Sequence, residues 1–280
     1  MNDVVLKKYE KIECPICAGE IKACFTAQVL GKYNAQYEVC NECGFLRIHE
    51  PHWLDEAYSN AIASTDTGLV MRNIFIARKL AVMLYFVMGE RGHGSYLDVA
   101  GGYGMLTRMM RDYGFDFYWS DKYCENLMAR GFEFREDIVP CKAVTAFEVM
   151  EHLEDPVRFI ADALSQAKSD TFIFSTVLYE GAPPSVDKWW YYSLETGQHI
   201  AFFQRKTLEI LAKKLGMRFF SAGGLHIITK KSISPLFLKL FLGRVGAFFV
   251  LILRKLLVSR HMLDNKLMIN KLRHARQVVR

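Results

Sequence analysis

Nine residues, Tyr96-Leu97-Asp98-Val99-Ala100-Gly101-Gly102-Tyr103-Gly104, constrain this chain more than any other stretch. An apolar run ends in an acid, and three glycines follow within four positions. This is how a buried strand turns sharply and lets a flat, polar ligand lie against bare backbone, because a β-carbon would collide or forbid the dihedrals. Asp98, Gly101, Gly102 and Gly104 are therefore candidate ligand contacts.

Two cofactors compete for this loop. A dinucleotide site reads G-x-G-x-x-G, with the third glycine packing helix on strand and the pyrophosphate on a helix N-terminus. Here Thr107 stands where that glycine is needed, and Asp98 would face a phosphate. A sulfonium cofactor bearing an ammonium group welcomes the carboxylate instead. The next apolar run, 115–119, ends in Ser120-Asp121, 23 residues after Asp98. An acid there can take both ribose hydroxyls of either cofactor. The loop favours S-adenosylmethionine, and Asp121 supports both.

A third element, Phe147-Glu148-Val149-Met150-Glu151-His152-Leu153, completes a pattern that resembles class I S-adenosylmethionine-dependent methyltransferases. It is similar to the E-V-x-E-H-L segment after the fourth strand in many small-molecule members. The resemblance covers about 55–230. It implies an α/β, Rossmann-like, seven-stranded mostly parallel sheet with helices on both faces, closed by an antiparallel hairpin. It also implies that a residue near Asp137-Ile138 contacts the adenine.

Periodicity agrees with that layout. Apolar positions through Ile74, Leu80, Leu84 and Val87 predict a helix over 66–90, with Asp66-Thr67 as its cap. Strands are expected at 95–100, 115–120, 132–135, 143–147, 171–176, 217–222 and 225–230. Helices are expected at 105–113, after Asp155-Pro156 and at 205–215. Such alternation gives a parallel sheet, whose ligands bind at the carboxyl ends of the strands. That rule gathers the glycines with Asp121, Asp137, Ile138, Glu148, Glu151 and His152. Glu148 either holds the cofactor and its loop or takes part in catalysis. His152 is a candidate general base for a hydroxyl, or a partner that pins the turn at 151–154.

The connection at 177–204 is too long for a plain loop and is expected to overhang the acceptor. It holds Trp189-Trp190-Tyr191-Tyr192 and Gln198-His199. Flat rings beside hydrogen-bonding groups suit sugars or planar rings, so Trp189, Trp190, Tyr191, Tyr192 and Gln198 are candidate substrate contacts. The alternative is that the rings pack the lid onto the sheet. Methyl transfer needs alignment and a base, and His199 is the first candidate for that base.

Cys14-Pro-Ile-Cys17 and Cys40-Asn-Glu-Cys43 form two C-x2-C knuckles, a spacing that suits structural zinc more than two disulfides. Some sugar C-methyltransferases bear such a module, and the whole set resembles methyltransferases of bacterial polysaccharide and glycosylated-metabolite assembly. Those sugar enzymes carry a further C-terminal domain, and no counterpart of it is expected here. The expected organisation is a zinc module at 1–54, a methyltransferase domain at 55–231 and a basic amphipathic helical tail at 232–280.

At 280 residues and 51% hydrophobic, the chain can bury one substantial core with small appendages. Its charge of +6 is uneven: residues 230–280 hold 12 of the 36 Lys and Arg and a single acid, Asp264. Between 236 and 258 the sequence is intensely apolar, with Lys239, Arg244, Arg254 and Lys255 interspersed. The longest uncharged run there is too short to span a bilayer, and one interfacial helix on anionic lipid is expected. Packing on the body or on a partner subunit is the other reading, and nucleic acid suits so aliphatic a tail poorly. The charged N-terminus, 1–11, predicts no secretion signal. The expected protein is cytoplasmic, peripheral on the inner membrane face, and O-methylates a sugar or glycan hydroxyl. The alternatives are methylation of a quinone or lipid-like ring, C-methylation of a nucleotide sugar, and a zinc-bearing RNA-binding or scaffold protein.

Overall fold

Between the two cysteine knuckles the chain folds as an antiparallel hairpin, β1 (Ile21–Val29) and β2 (Tyr33–Cys40). The computed structural model describes residues 13–58 and 65–278, so the N-terminal charges lie outside it. The short β3 (Leu46–Ile48) pairs with β2, and the single turn α1 (Leu54–Ala57) follows.

Helix α2 (Leu69–Val82) begins after Gly68 rather than at the expected cap, because Asp66 is engaged elsewhere. Both of its oxygens accept from Arg72, at 3.0 and 2.8 Å. A π-helical turn, Met83–Val87, carries the helix to β4 (Ser95–Val99). Then come α3 (Met105–Asp112), β5 (Asp116–Ser120), β6 (Cys141–Ala146), α4 (Pro156–Ala167) and β7 (Thr171–Phe174). Asp155 caps α4 by accepting from Arg158 N at 2.9 Å, with proline in the first turn. After the lid come β8 (Ala201–Phe202), α5 (Arg205–Lys214), β9 (Arg218–Ala222) and β10 (Leu225–Thr229).

The large sheet runs β5-β4-β6-β7-β10-β9, with the first four strands parallel and β10 antiparallel to both β7 and β9. Among the described residues six strands form this sheet, not the expected seven. The expected strand at 132–135 contributes only one parallel bridge, Glu133 to Trp119. Phe132 is buried and Phe134 packs on the core, while Glu133, Arg135, Glu136 and Asp137 are all exposed, so the segment follows β5 only around Trp119 before its charges turn to solvent. Helices cover both faces. Leu97, Val144 and Phe172 pack with Ile160 and Leu208 on one side, and Tyr96 and Ile227 pack with Leu80 and Met110 on the other.

A second sheet, β1-β2-β3-β8, takes its last strand from the lid, through Leu46 opposite Phe202. The cysteine-bearing hairpin and the lid are thus one β-structure.

The segment expected to be one interfacial helix is two, α6 (Pro235–Leu242) and α7 (Gly246–Leu256), bent by 88°. The chain turns so tightly that a β-carbon at Gly246 would lie 1.9 Å from the Phe241 carbonyl oxygen. No single described helix is long and apolar enough to cross a membrane. Leu238, Leu242 and Leu253 are buried beneath the sheet's helices. The last helix, α8 (His261–Val278), is tied down by its acid: Asp264 receives Arg111 Nε at 2.8 Å and Nη2 at 2.7 Å, both residues being buried.

Candidate active site

The glycine loop leaves β4 through Ala100 and Gly102, both with positive φ (51° and 55°), and enters α3 through Gly104 (φ 83°). A β-carbon on Gly101 would lie 2.9 Å from both Asp98 Oδ2 and Trp119 Cδ1, and one on Gly104 would lie 2.7 Å from Asn126 Oδ1. Gly102 has open space where its side chain would stand. Asp98 is buried beneath this loop rather than presented on it. Its oxygens accept from Thr145 at 2.7 Å and Thr107 at 3.1 Å. Burial raises its pKa to about 7 against the pull of those two hydroxyls. A carboxyl group so engaged shapes the loop from beneath.

Asp121, at the carboxyl end of β5, accepts from the backbone N–H of Gly102 (2.9 Å), Tyr123 (2.7 Å) and Cys124 (2.8 Å). It therefore couples the first loop to the second. Asp137 is exposed and paired with Arg135 at 3.0 Å, while Ile138 packs on the core.

Glu148 follows β6 with φ of 56°. Its N–H donates to Ser175 Oγ at 3.0 Å, and that hydroxyl donates to Glu148 Oε1 at 2.6 Å. Arg72 Nε lies 3.4 Å from Glu148 Oε2. Arg72, Phe75, Glu148, Ser175 and Leu225 line a cleft of about 420 Å³.

The next turn, Met150–His152, meets the lid. Ile200 N donates to the Glu151 carbonyl at 2.8 Å, and Ile48 N donates to the Ile200 carbonyl at 2.9 Å. These bonds bring His199 beside His152, with ring centroids 4.9 Å apart. Nδ1 of His152 faces the Gln198 carbonyl at 3.0 Å and the Tyr58 hydroxyl at 2.9 Å. Nδ1 of His199 faces the Tyr191 carbonyl at 2.7 Å. Each contact with a carbonyl requires a proton on Nδ1 and leaves the lone pair on Nε2. Burial lowers both imidazole pKa values, that of His199 to about 4, with His152 adding to the shift. Glu151 is fully buried, and neither carboxylate oxygen has a hydrogen-bond partner among the described residues. Burial, then the charge of Glu148, pushes its pKa up to about 7.

The lid rings divide. Tyr191 and Tyr192 are buried and Trp189 packs on Tyr192 and Phe202, so these three fill the lid's own core instead of facing an acceptor. The Tyr192 hydroxyl donates to the Pro184 carbonyl at 2.9 Å. Trp190 is 77% exposed. Gln198 donates through Nε2 to the Ala57 carbonyl at 2.7 Å, which ties the lid to α1.

The four knuckle cysteines converge. Cys14 and Cys43 sulfurs lie 3.6 Å apart, those of Cys17 and Cys40 lie 3.4 Å apart, and all four fall within 4.8 Å. Thiolates on one tetrahedral zinc with bonds of about 2.3 Å sit about 3.8 Å apart, so the set fits that ion. Thr207 Oγ1 donates to the Cys43 carbonyl at 2.7 Å, docking the module on α5.

Three site residues carried no sequence signal strong enough to single them out: Tyr58, Arg72 and Ser175. They are ordinary polar positions, and the contacts that bring them to the site are with residues distant in sequence. Glu151 lay inside the recognised segment, but its isolation appears only in three dimensions.

A family model described as Methyltransferase domain matches residues 72–221, more than half of the chain. No curated protein sequence matches significantly. Among solved structures, TnmH is 17% identical with a TM-score of 0.43, over 63% of this chain and 60% of that one. The chain therefore spans less than two thirds of that protein's length. Magnesium protoporphyrin IX methyltransferase from Synechocystis PCC 6803, with bound SAH, is 14% identical with a TM-score of 0.40, over 64% and 94%. An O-methyltransferase family protein from Burkholderia thailandensis is 12% identical with a TM-score of 0.44, over 64% and 68%.

Proposed function

The chain belongs to the methyltransferase-domain family and is an S-adenosylmethionine-dependent methyltransferase, and from that premise we propose that it O-methylates a hydroxyl of a sugar or glycan. The observation that carries the reading is the convergence of Glu148, Glu151, His152 and His199 beneath a lid, at the edge where the glycine loop and Asp121 lie. Backbone at Gly101, Gly102 and Gly104 would hold the methyl donor, and Asp121 would take its ribose hydroxyls. When bound, S-adenosylmethionine supplies a methyl group on a cationic sulfur; the acceptor oxygen takes it in line, the C–O bond forming as the C–S electron pair passes to sulfur. Glu148, held by Ser175 and Arg72, orients the reacting groups, and the neutral imidazoles present lone pairs to the acceptor side. Trp190 and the polar groups around Gln198 border the sugar. The four cysteines hold a structural zinc that anchors the lid through β3 and β8.

Exposed side chains along α6 and α7 favour a lipid-linked acceptor over a freely soluble one. Leu236, Phe237, Phe248, Leu251 and Leu256 are all at least half exposed among the basic residues of the tail, a combination that suits anionic lipid. A quinone or other lipid-like ring is the second acceptor class consistent with this surface. The test is methyl transfer from labelled S-adenosylmethionine to nucleotide sugars, lipid-linked glycans and quinone precursors, with His199→Ala in parallel. Labelling of a glycan acceptor, lost in the variant, supports the reading. Labelling of quinone precursors alone overturns the sugar assignment.

A further inference from the structure

We propose that Glu151, His152 and His199 form a site for one divalent first-row transition-metal ion, on which the acceptor hydroxyl docks. The inference rests on the methyltransferase reading of the same site.

The cluster holds more ligand chemistry than a single general base needs. One donor atom from each residue lies within 4.8 Å of the other two, so side-chain closure around an ion with bonds of about 2.0–2.2 Å completes the set. Two imidazoles and one carboxylate suit manganese, iron, cobalt or zinc better than magnesium or calcium, which prefer oxygen. The outer contacts are those of a metal site. Each Nδ1 is held against a backbone carbonyl, Gln198 for His152 and Tyr191 for His199, which fixes the ring and aims the lone pair through Nε2.

The independent observation is Glu151. Both its oxygens are buried and unpartnered among the described residues. A carboxyl group buried without partners either keeps its proton or is compensated by a positive charge, and the two imidazoles turned toward Glu151 are a ligand set for the second. The nearby cation is not available: Arg72 spends its guanidinium on Asp66 and Glu148. An ion of charge +2 compensates the Glu151 carboxylate beside two neutral rings, with Glu148 nearby as a second negative charge. Three protein ligands also leave coordination positions open. An acceptor hydroxyl entering one of them becomes more acidic and gives its proton to solvent before the oxygen takes the methyl group.

The test uses the full, zinc-loaded chain freed of loosely bound ions and titrated with Mn2+ alone, the loss of the free-ion electron paramagnetic resonance signal reporting binding. Thiolates disfavour Mn2+, so the cysteine cluster stays out of the count. The expected result is one Mn2+ per chain, weakened about 10-fold or more in both Glu151→Gln and His199→Ala. Thermal stabilisation by S-adenosylhomocysteine, measured on the same samples, establishes that each variant is folded. Wild-type protein that takes S-adenosylhomocysteine but no Mn2+ overturns the metal site and leaves the methyltransferase reading intact. Unchanged Mn2+ affinity in both variants also overturns it. Mn2+ binding without S-adenosylhomocysteine binding supports the metal site and counts against the donor assignment.

Discussion

Ser175 Oγ holds both ends of Glu148, accepting its N–H at 3.0 Å and donating to its carboxylate at 2.6 Å. A glutamate with φ of 56° is conformationally costly, by about 1–3 kcal/mol, and persists only when its surroundings impose it. Ser175→Ala removes both bonds and lets the carboxylate swing from the cleft. The variant should stay folded, with kcat down about 10-fold or more, equivalent to about 1.4 kcal/mol of barrier. Steady-state kinetics beside a thermal melt decides this: an unchanged kcat would show that the pose of Glu148 is irrelevant to turnover.

Asp98 makes stability depend on pH in an unusual direction. Its folded pKa is about 7, whereas an unfolded aspartate titrates near 3.9. The folded state thus holds the proton more tightly. The resulting stabilisation is complete below about pH 4 and is lost as pH rises to about 7, at about 1.4 kcal/mol per pH unit inside that window. Urea unfolding from pH 4 to 7 should therefore show wild-type stability falling more steeply than that of Asp98→Asn. Parallel curves would contradict the burial argument.

Much of this architecture was legible in the chain because local chemistry dictated it. The glycine loop, the knuckles and the Asp155-Pro156 cap each needed only neighbouring residues, and the two apolar strands flanking the loop formed as expected. The rest depended on distant partners. Nothing between 132 and 135 shows that its charged residues will leave only a single bridge to β5. Ser175 and Glu148 are 27 residues apart, and Tyr58 reaches His152 across 94. The ring cluster at 189–192 was ambiguous for a physical reason, since aromatic side chains serve cores and sugar sites equally well. Burial alone separates Tyr191 and Tyr192 from Trp190. Asp264 stood out in sequence as the lone acid of the tail, and its role became evident only with Arg111 beside it.

The knuckle module and the lid share a sheet, so metal loss at the cysteines should be felt at His199. Cys43→Ser should release zinc and abolish methyl transfer while the large sheet persists. Metal analysis, far-ultraviolet circular dichroism and activity are followed together. Full activity in zinc-depleted protein would contradict the anchoring role of β3 and β8.

Arg111 is buried and spends its guanidinium on Asp264, Asp116 and the Phe117 carbonyl. Burial alone would raise the Asp264 pKa, yet the bonds from Arg111 hold it below the usual carboxylate value. Asp264→Ala strands part of that buried charge, and about 3–5 kcal/mol of stability should be lost. Arg111→Met with Asp264→Leu should recover most of it. A single variant as stable as wild type by urea titration would show that α8 is not locked to α3.

The most direct measurement is calorimetric titration with S-adenosylhomocysteine of wild-type protein and of Asp121→Ala, with NADH as the competing ligand. The account predicts one binding event in the wild type, at least about 10-fold weaker in the variant because the carboxylate proposed to take the ribose hydroxyls is lost, and no heat with NADH. Heat with NADH and none with S-adenosylhomocysteine would contradict it.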